Sequence, residues 1–283
     1  MKIAVSTYSF AKWMQENNQL AIVKKAHDMG FEALSVSGII PHDGSTKEEY
    51  AEKIRKEAEK YNIRINDYLF GADLAQKTEE ETRKAIEEAK RQIDIAEILG
   101  VGLVRHDVAG GANCKSFDLA LPALSAACRE ITEYAASKGI VTTIENHGFF
   151  CQDAERIERL YNAVNHENFG ILCDIGNFLC VDEDPVMSVS RVAPYARNAH
   201  VKDFHFRSGK ETHPGEGYFQ TRGCNYIKGT IVGHGVVPTV QCLAILKRAG
   251  YDGYVCIEFE GPEDNLEALR ISHDNLKRFI SMI

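Results

Sequence analysis

The chain has 283 residues, of which 44% are hydrophobic, and its formal net charge at pH 7 is −8. This length is normal for one α/β barrel, and the apolar content is sufficient for one large core. The acidic balance argues against a surface for nucleic acid or anionic membranes, because either partner would need a basic face.

The sequence shows no membrane span, no secretion signal and no disulfide framework. A bilayer span needs roughly 18 consecutive apolar residues, and no such run occurs. The apolar stretch after Lys2 is too short for a signal peptide. The eight cysteines include no C-x-x-C pair, and Cys173 and Cys256 lie in strand-like runs, where a thiol behaves as a small hydrophobe. We therefore expect a cytoplasmic protein with reduced cysteines.

Short apolar runs alternate with longer helical patterns along the chain. The predicted strands cover residues 2–8, 31–37, 63–70, 101–107, 140–145, 169–174, 196–204 and 251–259. The predicted helices cover residues 18–29, 46–61, 78–99, 117–138, 153–164, 184–194, 238–249 and 263–281. Alternating elements with right-handed crossovers give a closed barrel or an open doubly wound sheet.

The count of eight strands and eight helices favours the closed barrel. No G-x-G-x-x-G turn follows the first strand, which removes the usual dinucleotide-binding alternative. No linker separates two domains. The sequence therefore predicts one α/β domain, a (β/α)8 TIM barrel over residues 1–283.

One connection, residues 204–236, is too long to be a plain loop. Loops of this length in a compact domain are usually lids or binding loops. It carries a basic set in an acidic protein: His205, Arg207, Lys210, His213, Arg222, Lys228 and His234. A phosphorylated or carboxylated substrate would explain this set, with Arg207 as a candidate substrate-binding residue. A solvated loop with scattered charges would explain it as well.

Four potential metal ligands stand at the ends of the last four predicted strands: Glu145, Asp174, His200 and Glu258. A single strand-end carboxylate is usually a helix cap or a surface ion-pair partner, and a single strand histidine is usually a core residue. Four such groups at the same end of successive strands converge at the mouth of a barrel. Three carboxylates placed together repel unless a divalent cation lies among them.

This mixture of oxygen and imidazole donors suits Mn²⁺, Mg²⁺, Co²⁺ or Zn²⁺. Four protein ligands on an octahedral ion leave two positions, which a hydroxyl and an adjacent carbonyl of a sugar would fill. The ion would polarise the carbonyl and stabilise an enediolate-like charge. The sequence therefore predicts one divalent metal ion and a small carbohydrate substrate.

The same segments resemble the xylose isomerase-like TIM barrel superfamily, the sugar phosphate isomerase/epimerase group. The matching motifs are IENHG (144–148), CDIGN (173–177), AHVKD (199–203) and GYDGYVCIEFEG (250–261). The resemblance covers essentially the full length in strand order. It implies that the four residues are the ligands of one ion, preferably Mn²⁺, and that Glu145 and Glu258 also form the acid/base pair.

Four further residues are candidate substrate contacts. His147 follows Glu145 by two residues, and the alternative is a loop histidine with a local hydrogen bond. Lys202 shares the strand parity of His200, and the alternative is a structural pair with Asp203. The other two candidates are His106, which ends the fourth strand, and Asn177. Glu260 has the parity of Glu258, but we interpret it as a solvated or supporting group.

The chain departs from the family pattern at several points. Asn177 stands where several members have His, Phe149 stands where ketose 3-epimerases commonly carry a second Glu, and strand 2 offers Ser35 or Ser37 instead of Glu. These departures weaken an assignment to a hexulose 3-epimerase and leave the metal site untouched.

The resemblance implies isomerisation or epimerisation of a sugar, cyclitol or hydroxy-ketone by proton abstraction next to a carbonyl. The first alternative is a lyase of the inosose dehydratase type, in which the same enolate expels a β-hydroxyl. An AP endonuclease is disfavoured by the missing histidine after strand 3 and by the net charge. A non-catalytic sugar-binding barrel and association into a homo-oligomer both stay open.

Overall fold

In a computed structural model, which describes residues 1–110 and 113–283, the chain alternates strands and helices as predicted. The strands of these residues are β1 (Lys2–Ser6), β2 (Ala33–Ser37), β3 (Arg64–Phe70), β4 (Leu103–His106), β5 (Val141–Glu145), β6 (Phe169–Asp174), β7 (Ala196–Val201), β8 (Asp203–Arg207), β9 (Phe219–Gln220), β10 (Tyr226–Thr230) and β11 (Tyr254–Ile257). The helices are α1 (Gln19–Asp28), α2 (Lys47–Tyr61), α3 (Glu79–Leu99), α4 (Phe117–Ser137), α5 (Ala154–Val164), α6 (Pro185–Val192), α7 (Thr239–Arg248) and α8 (Asn265–Ile280).

Eight parallel strands close into a barrel in the order β1-β11-β7-β6-β5-β4-β3-β2. The predicted TIM barrel is therefore confirmed. The limits of the domain, residues 1–283, stay a prediction. In the parts of the chain that are described, no helix is both long and apolar enough to cross a bilayer.

The long connection after β7 differs from the predicted loop. It contains β8, β9 and β10, which form a separate antiparallel sheet in the order β8-β10-β9. The first of these strands starts two residues after β7 ends, so the chain leaves the barrel wall and extends beyond its mouth. The side chains alternate between sheet faces, which explains why the segment shows no continuous apolar run.

Local signals in the sequence fix the helix ends. Thr46 accepts a hydrogen bond from the backbone N–H of Glu49, and the Glu49 carboxylate accepts one from the N–H of Thr46, which is a capping box. Gly100 ends α3 with φ = 75°, a left-handed conformation in which a side chain would be strained. These caps set where each connection to the next strand begins.

The main apolar core lies between the barrel and its helices, and a small separate cluster fills part of the barrel interior. That cluster contains Ala4, Ala33 and Cys256, which pair across neighbouring strands and are fully buried. Because these side chains are small, larger polar side chains can occupy the barrel interior near the carboxyl ends of the strands. The four strands that carry the predicted ligands are neighbours, in the order β11-β7-β6-β5.

Candidate metal centre

The four-ligand cluster, Glu145, Asp174, His200 and Glu258, comes together at the mouth of the barrel. Each residue offers one potential ligand atom, and these four atoms all lie within 4.8 Å of one another. All four side chains are buried. The register explains the convergence, because Asp174 pairs with His200 and His200 pairs with Cys256, two residues before Glu258. The structure therefore brings these four residues together, as the sequence predicts.

Backbone groups of its own strand end hold Asp174. Its Oδ1 accepts hydrogen bonds from the N–H groups of Gly176 (2.8 Å) and Asn177 (3.0 Å). The amide of Asn146 bridges β5 and β6, since it donates to the carbonyl of Asp174 (2.8 Å) and accepts from its N–H (2.9 Å). With Oδ1 fixed by the backbone, Oδ2 of Asp174 is directed toward the other ligands.

Glu145 is held by a neutral amide and a cation. Asn177 donates from Nδ2 to Oε1 of Glu145 at 2.9 Å. Arg105 Nη2 lies 2.8 Å from Oε2 of the same carboxylate. The Arg105 side chain is only 10% exposed, so this contact is shielded from water. Asn177, which we predicted to contact substrate, thus supports a ligand of the cluster.

Lys202 provides the second cation of the site. Its Nζ donates to Oε2 of Glu258 and to Oε1 of Glu260 (2.8 Å), and it lies 3.3 Å from Oδ2 of Asp174. A Cβ atom at Gly176 would come within 2.6 Å of Cγ of Lys202, so a glycine there allows the lysine to pass. These contacts place Lys202 on the same face as the cluster, and its role in substrate binding stays a prediction.

Burial and charge act against each other on the acidic groups. Burial raises the pKa of Asp174 to about 6; Lys202 opposes this effect, and Glu145 and Glu258 reinforce it. Burial also acts to raise the pKa of Glu258, but Lys202 and His200 outweigh it and hold that pKa well below its usual range. For Lys202, burial lowers the pKa, and Asp174, Glu258 and Glu260 reverse this and raise it well above the usual value.

The donor set fits a divalent cation. Among the described residues, both ring nitrogens of His200 are buried and make no hydrogen bond. Oε2 of Glu145 and Oδ2 of Asp174 also make no hydrogen bond, and each has only an ion-pair contact, with Arg105 and with Lys202. Unpaired buried polar atoms are costly, and a metal ion is one of the partners that removes this cost. Oxygen and imidazole donors together are the ligands that Mn²⁺, Mg²⁺, Co²⁺ and Zn²⁺ accept.

A cavity of about 610 Å³ opens next to the cluster. Its walls include Tyr8, Arg105, Asp107, His147, Glu258 and Glu260. Cavities of this size hold small ligands such as one or two sugar rings. His147 and Glu260, two of the residues singled out from the sequence, therefore border the space in which a substrate would lie.

Two predicted substrate contacts lie elsewhere. His106 is buried, its ring stacks on Phe70 at 6.1 Å between centroids, and its Nδ1 contacts the carbonyl of Asp107. Arg207 is exposed at the end of β8, where it pairs with Tyr226. Neither residue has a hydrogen bond or ion pair with the cluster within the described ranges. Their roles in binding stay predictions.

Sequence reasoning missed Arg105 and Asp107, which both line the cavity. Arg105 pairs in register with Thr143, which has the same strand parity as Glu145, so its side chain points into the barrel. His106, one residue later, points the opposite way. The sequence did show that side chains on the fourth strand alternate between the two faces of the barrel wall. Which of these side chains point inward becomes clear only from the register with the fifth strand.

Several proteins resemble this chain in sequence or fold. An inosose dehydratase from Lacticaseibacillus casei is 22% identical over 241 residues, which cover 82% of this chain and 78% of that protein. An inosose dehydratase from Clostridium botulinum is 21% identical over 247 residues, with coverage of 82% and 78%.

Two solved structures share the fold. The IOLI protein with a bound zinc atom has a TM-score of 0.78 and 16% identity, and the match covers 100% of this chain and 99% of that chain. A xylose isomerase-like TIM barrel protein from Mycobacterium smegmatis, in complex with magnesium, has a TM-score of 0.73 and 17% identity, with coverage of 99% and 97%.

The family model described as xylose isomerase-like TIM barrel matches residues 23–279. This chain, with its buried cluster of metal-type ligands at the barrel mouth, therefore belongs to the xylose isomerase-like TIM barrel family.

Proposed function

We propose that this protein is a divalent-metal-dependent dehydratase of cyclic polyhydroxy ketones. It would remove a carbon-bound proton next to the carbonyl, and the resulting enolate would expel a β-hydroxyl group. The protonated base would return its proton to that hydroxyl group, so that water leaves. The observation that carries the proposal is the four-ligand cluster, buried beside a cavity of about 610 Å³. The choice of dehydration rests on the inosose dehydratases among the relatives.

The residues of the chain supply distinct parts of this chemistry. A divalent ion held by the four-ligand cluster would polarise the carbonyl and offset the charge that develops on its oxygen. Glu145 is the base in this proposal, since Arg105 and Asn177 hold its carboxylate in one orientation. Proton transfer by a positioned carboxylate is typically worth ~10²–10⁴ in rate. Lys202 contacts Asp174, Glu258 and Glu260, so in this proposal it holds these carboxylates in place, and its contact with substrate stays a prediction.

Isomerisation or epimerisation is the second candidate, and it shares the first step. It is supported by the presence of two glutamates in the cluster, Glu145 and Glu258. If one takes the proton and the other returns it to carbon, the product is an isomer or epimer and no water is lost. The ion is proposed to be Mn²⁺, with Mg²⁺, Co²⁺ and Zn²⁺ as alternatives. Relatives of this fold hold magnesium or zinc.

Incubation with inososes and ketoses in D₂O, followed by NMR and mass spectrometry, tests the proposal. The protein loaded with each of the four metals should release water from an inosose and give an unsaturated ketone, and chelation should stop the reaction. Deuterium at the carbon next to the carbonyl without loss of water would instead establish the isomerase. No exchange and no product with any metal would contradict both reactions.

A further inference from the structure

One carboxylate oxygen in the cavity wall serves two basic side chains. Oδ1 of Asp107 lies 2.9 Å from Nη1 of Arg105 and 3.0 Å from Nδ1 of His147. All three side chains line the same cavity. The Arg105 side chain is 10% exposed and that of His147 is 48% exposed, so Asp107 connects a fixed group in the wall to a ring in the open space.

We propose that Asp107 is a positioning residue, which holds the His147 imidazole so that its Nε2 is free to contact substrate. An ionised carboxylate only accepts hydrogen bonds, so the contact requires a proton on Nδ1 of His147. Nε2 then remains as the ring nitrogen available for substrate. Burial acts to raise the pKa of Asp107, but Arg105 and His147 outweigh it and keep that pKa below its usual value, so the carboxylate is ionised.

Arg105 links Asp107 to Glu145 and so fixes the position of Asp107 in the cavity wall. Its guanidinium contacts Asp107 through Nη1 and Glu145 through Nη2 (2.8 Å). Because the guanidinium is planar and rigid, these contacts fix the two carboxylates relative to each other. The imidazole of His147 is therefore held at a set position relative to Glu145. Its role in turnover, in which Nε2 accepts a hydrogen bond from a substrate hydroxyl, rests on the function proposed above; the hydrogen-bond arrangement does not.

NMR of protein labelled with ¹⁵N-histidine tests the arrangement without substrate. At about pH 9, where histidine rings are ordinarily neutral, His147 should carry its proton on Nδ1, with its signal assigned by the His147→Gln variant. Asp107→Ala should release the ring and populate the Nε2-protonated form. Asp107→Asn should keep the Nδ1 form, since an amide oxygen in the same place accepts both bonds. An unchanged spectrum in Asp107→Ala would overturn the proposal.

Kinetics distinguish an effect through His147 from an effect through Arg105. Asp107→Ala should lower kcat by roughly 10²-fold and change KM by less than about threefold, with part of the loss restored in Asp107→Asn. In the His147→Gln background, Asp107→Ala should cause no further loss. An equal loss in both backgrounds would mean that Asp107 acts through Arg105 and Glu145, and would refute the proposal. If no metal-dependent activity exists, the proposed function fails while the NMR result still decides the position of His147.

Discussion

Two charged networks in this molecule have similar contact lengths and very different surroundings. At the barrel mouth, Lys202 contacts the cluster from a side chain that is 3% exposed. Between α3 and α4, a surface network of Arg83, Glu87, Lys90 and Glu130 has contacts such as Lys90 to Glu130 at 2.7 Å, with the Arg83 side chain 55% exposed. Water and salt screen the surface network, and they screen the buried network much less.

This difference explains where function lies. Exposed ion pairs usually contribute about 0–1 kcal/mol to the free energy of unfolding, so the surface network is readily replaced. Removing several carboxylates from water costs free energy that their cationic neighbours only partly return. A fold gains little stability from such a cluster. Its presence is therefore better explained by chemistry at the barrel mouth.

The largest expected effect is on activity. Glu258→Gln keeps the shape of the side chain but removes a charge from the cluster, so the turnover of a metal-loaded enzyme should fall by roughly 10²–10⁴-fold. The matched control is Glu130→Gln, the same substitution in the surface network, which should leave turnover unchanged. Steady-state kinetics on both variants makes the comparison. Equal activity of Glu258→Gln and the unmodified protein would remove Glu258 from the mechanism.

The next effect is on stability. Lys202→Met should lower the free energy of unfolding of the metal-free protein by roughly 3–5 kcal/mol, because Asp174 and Glu258 lose a buried cation. A saturating divalent metal should reduce this difference, since it compensates the same carboxylates. Lys84→Met is the control, since Lys84 pairs with Glu80 on the surface and its side chain is 72% exposed. Urea denaturation with and without metal measures both variants, and an equally small effect of the two would break the contrast between the networks.

A steric test follows from Gly176. Its added Cβ would lie 2.6 Å from Cγ of Lys202 and 2.9 Å from the Lys202 carbonyl oxygen, so Gly176→Ala should cost roughly 1–3 kcal/mol and disturb the lysine. Gly102→Ala serves as the control, because nothing lies within 4 Å of the Cβ position there. Thermal unfolding of the two variants decides this. If the Gly176→Ala protein is as stable as the Gly102→Ala protein, the close contact between residue 176 and the Lys202 side chain does not require a glycine.

The smallest expected effect belongs to the surface network. Arg83, and to a lesser extent Lys90, lower the pKa of Glu130 from 4.5 to about 2 despite partial burial. Because the folded-state pKa is depressed, this stabilisation is complete above pH 4.5 and is lost as the pH falls toward 2. Glu130→Gln should therefore cost at most about 1 kcal/mol at pH 7, and less at high salt. Urea denaturation between pH 7 and pH 3 checks the trend, and a cost that grows as the pH falls would contradict it.

The sequence was sufficient to predict the barrel and the four-ligand cluster for one physical reason. Ligands at the ends of successive parallel strands must meet, whatever the details of the register. Arg105 and Asp107 needed more information, because the direction of a side chain on β4 depends on its pairing with β5. The antiparallel sheet after β7 was missed because its strands are short and carry polar residues on one face.

Metal binding by the purified protein is the most direct test of the central claim that Glu145, Asp174, His200 and Glu258 hold one divalent ion. Equilibrium dialysis against Mn²⁺, Mg²⁺, Co²⁺ and Zn²⁺, followed by elemental analysis, should give one bound ion per chain. The Asp174→Asn variant should lose that ion, since its amide keeps the backbone hydrogen bond at Oδ1 but offers no charged oxygen to the metal. Binding of none of the four metals by the unmodified protein, or equal binding by Asp174→Asn, would contradict the account.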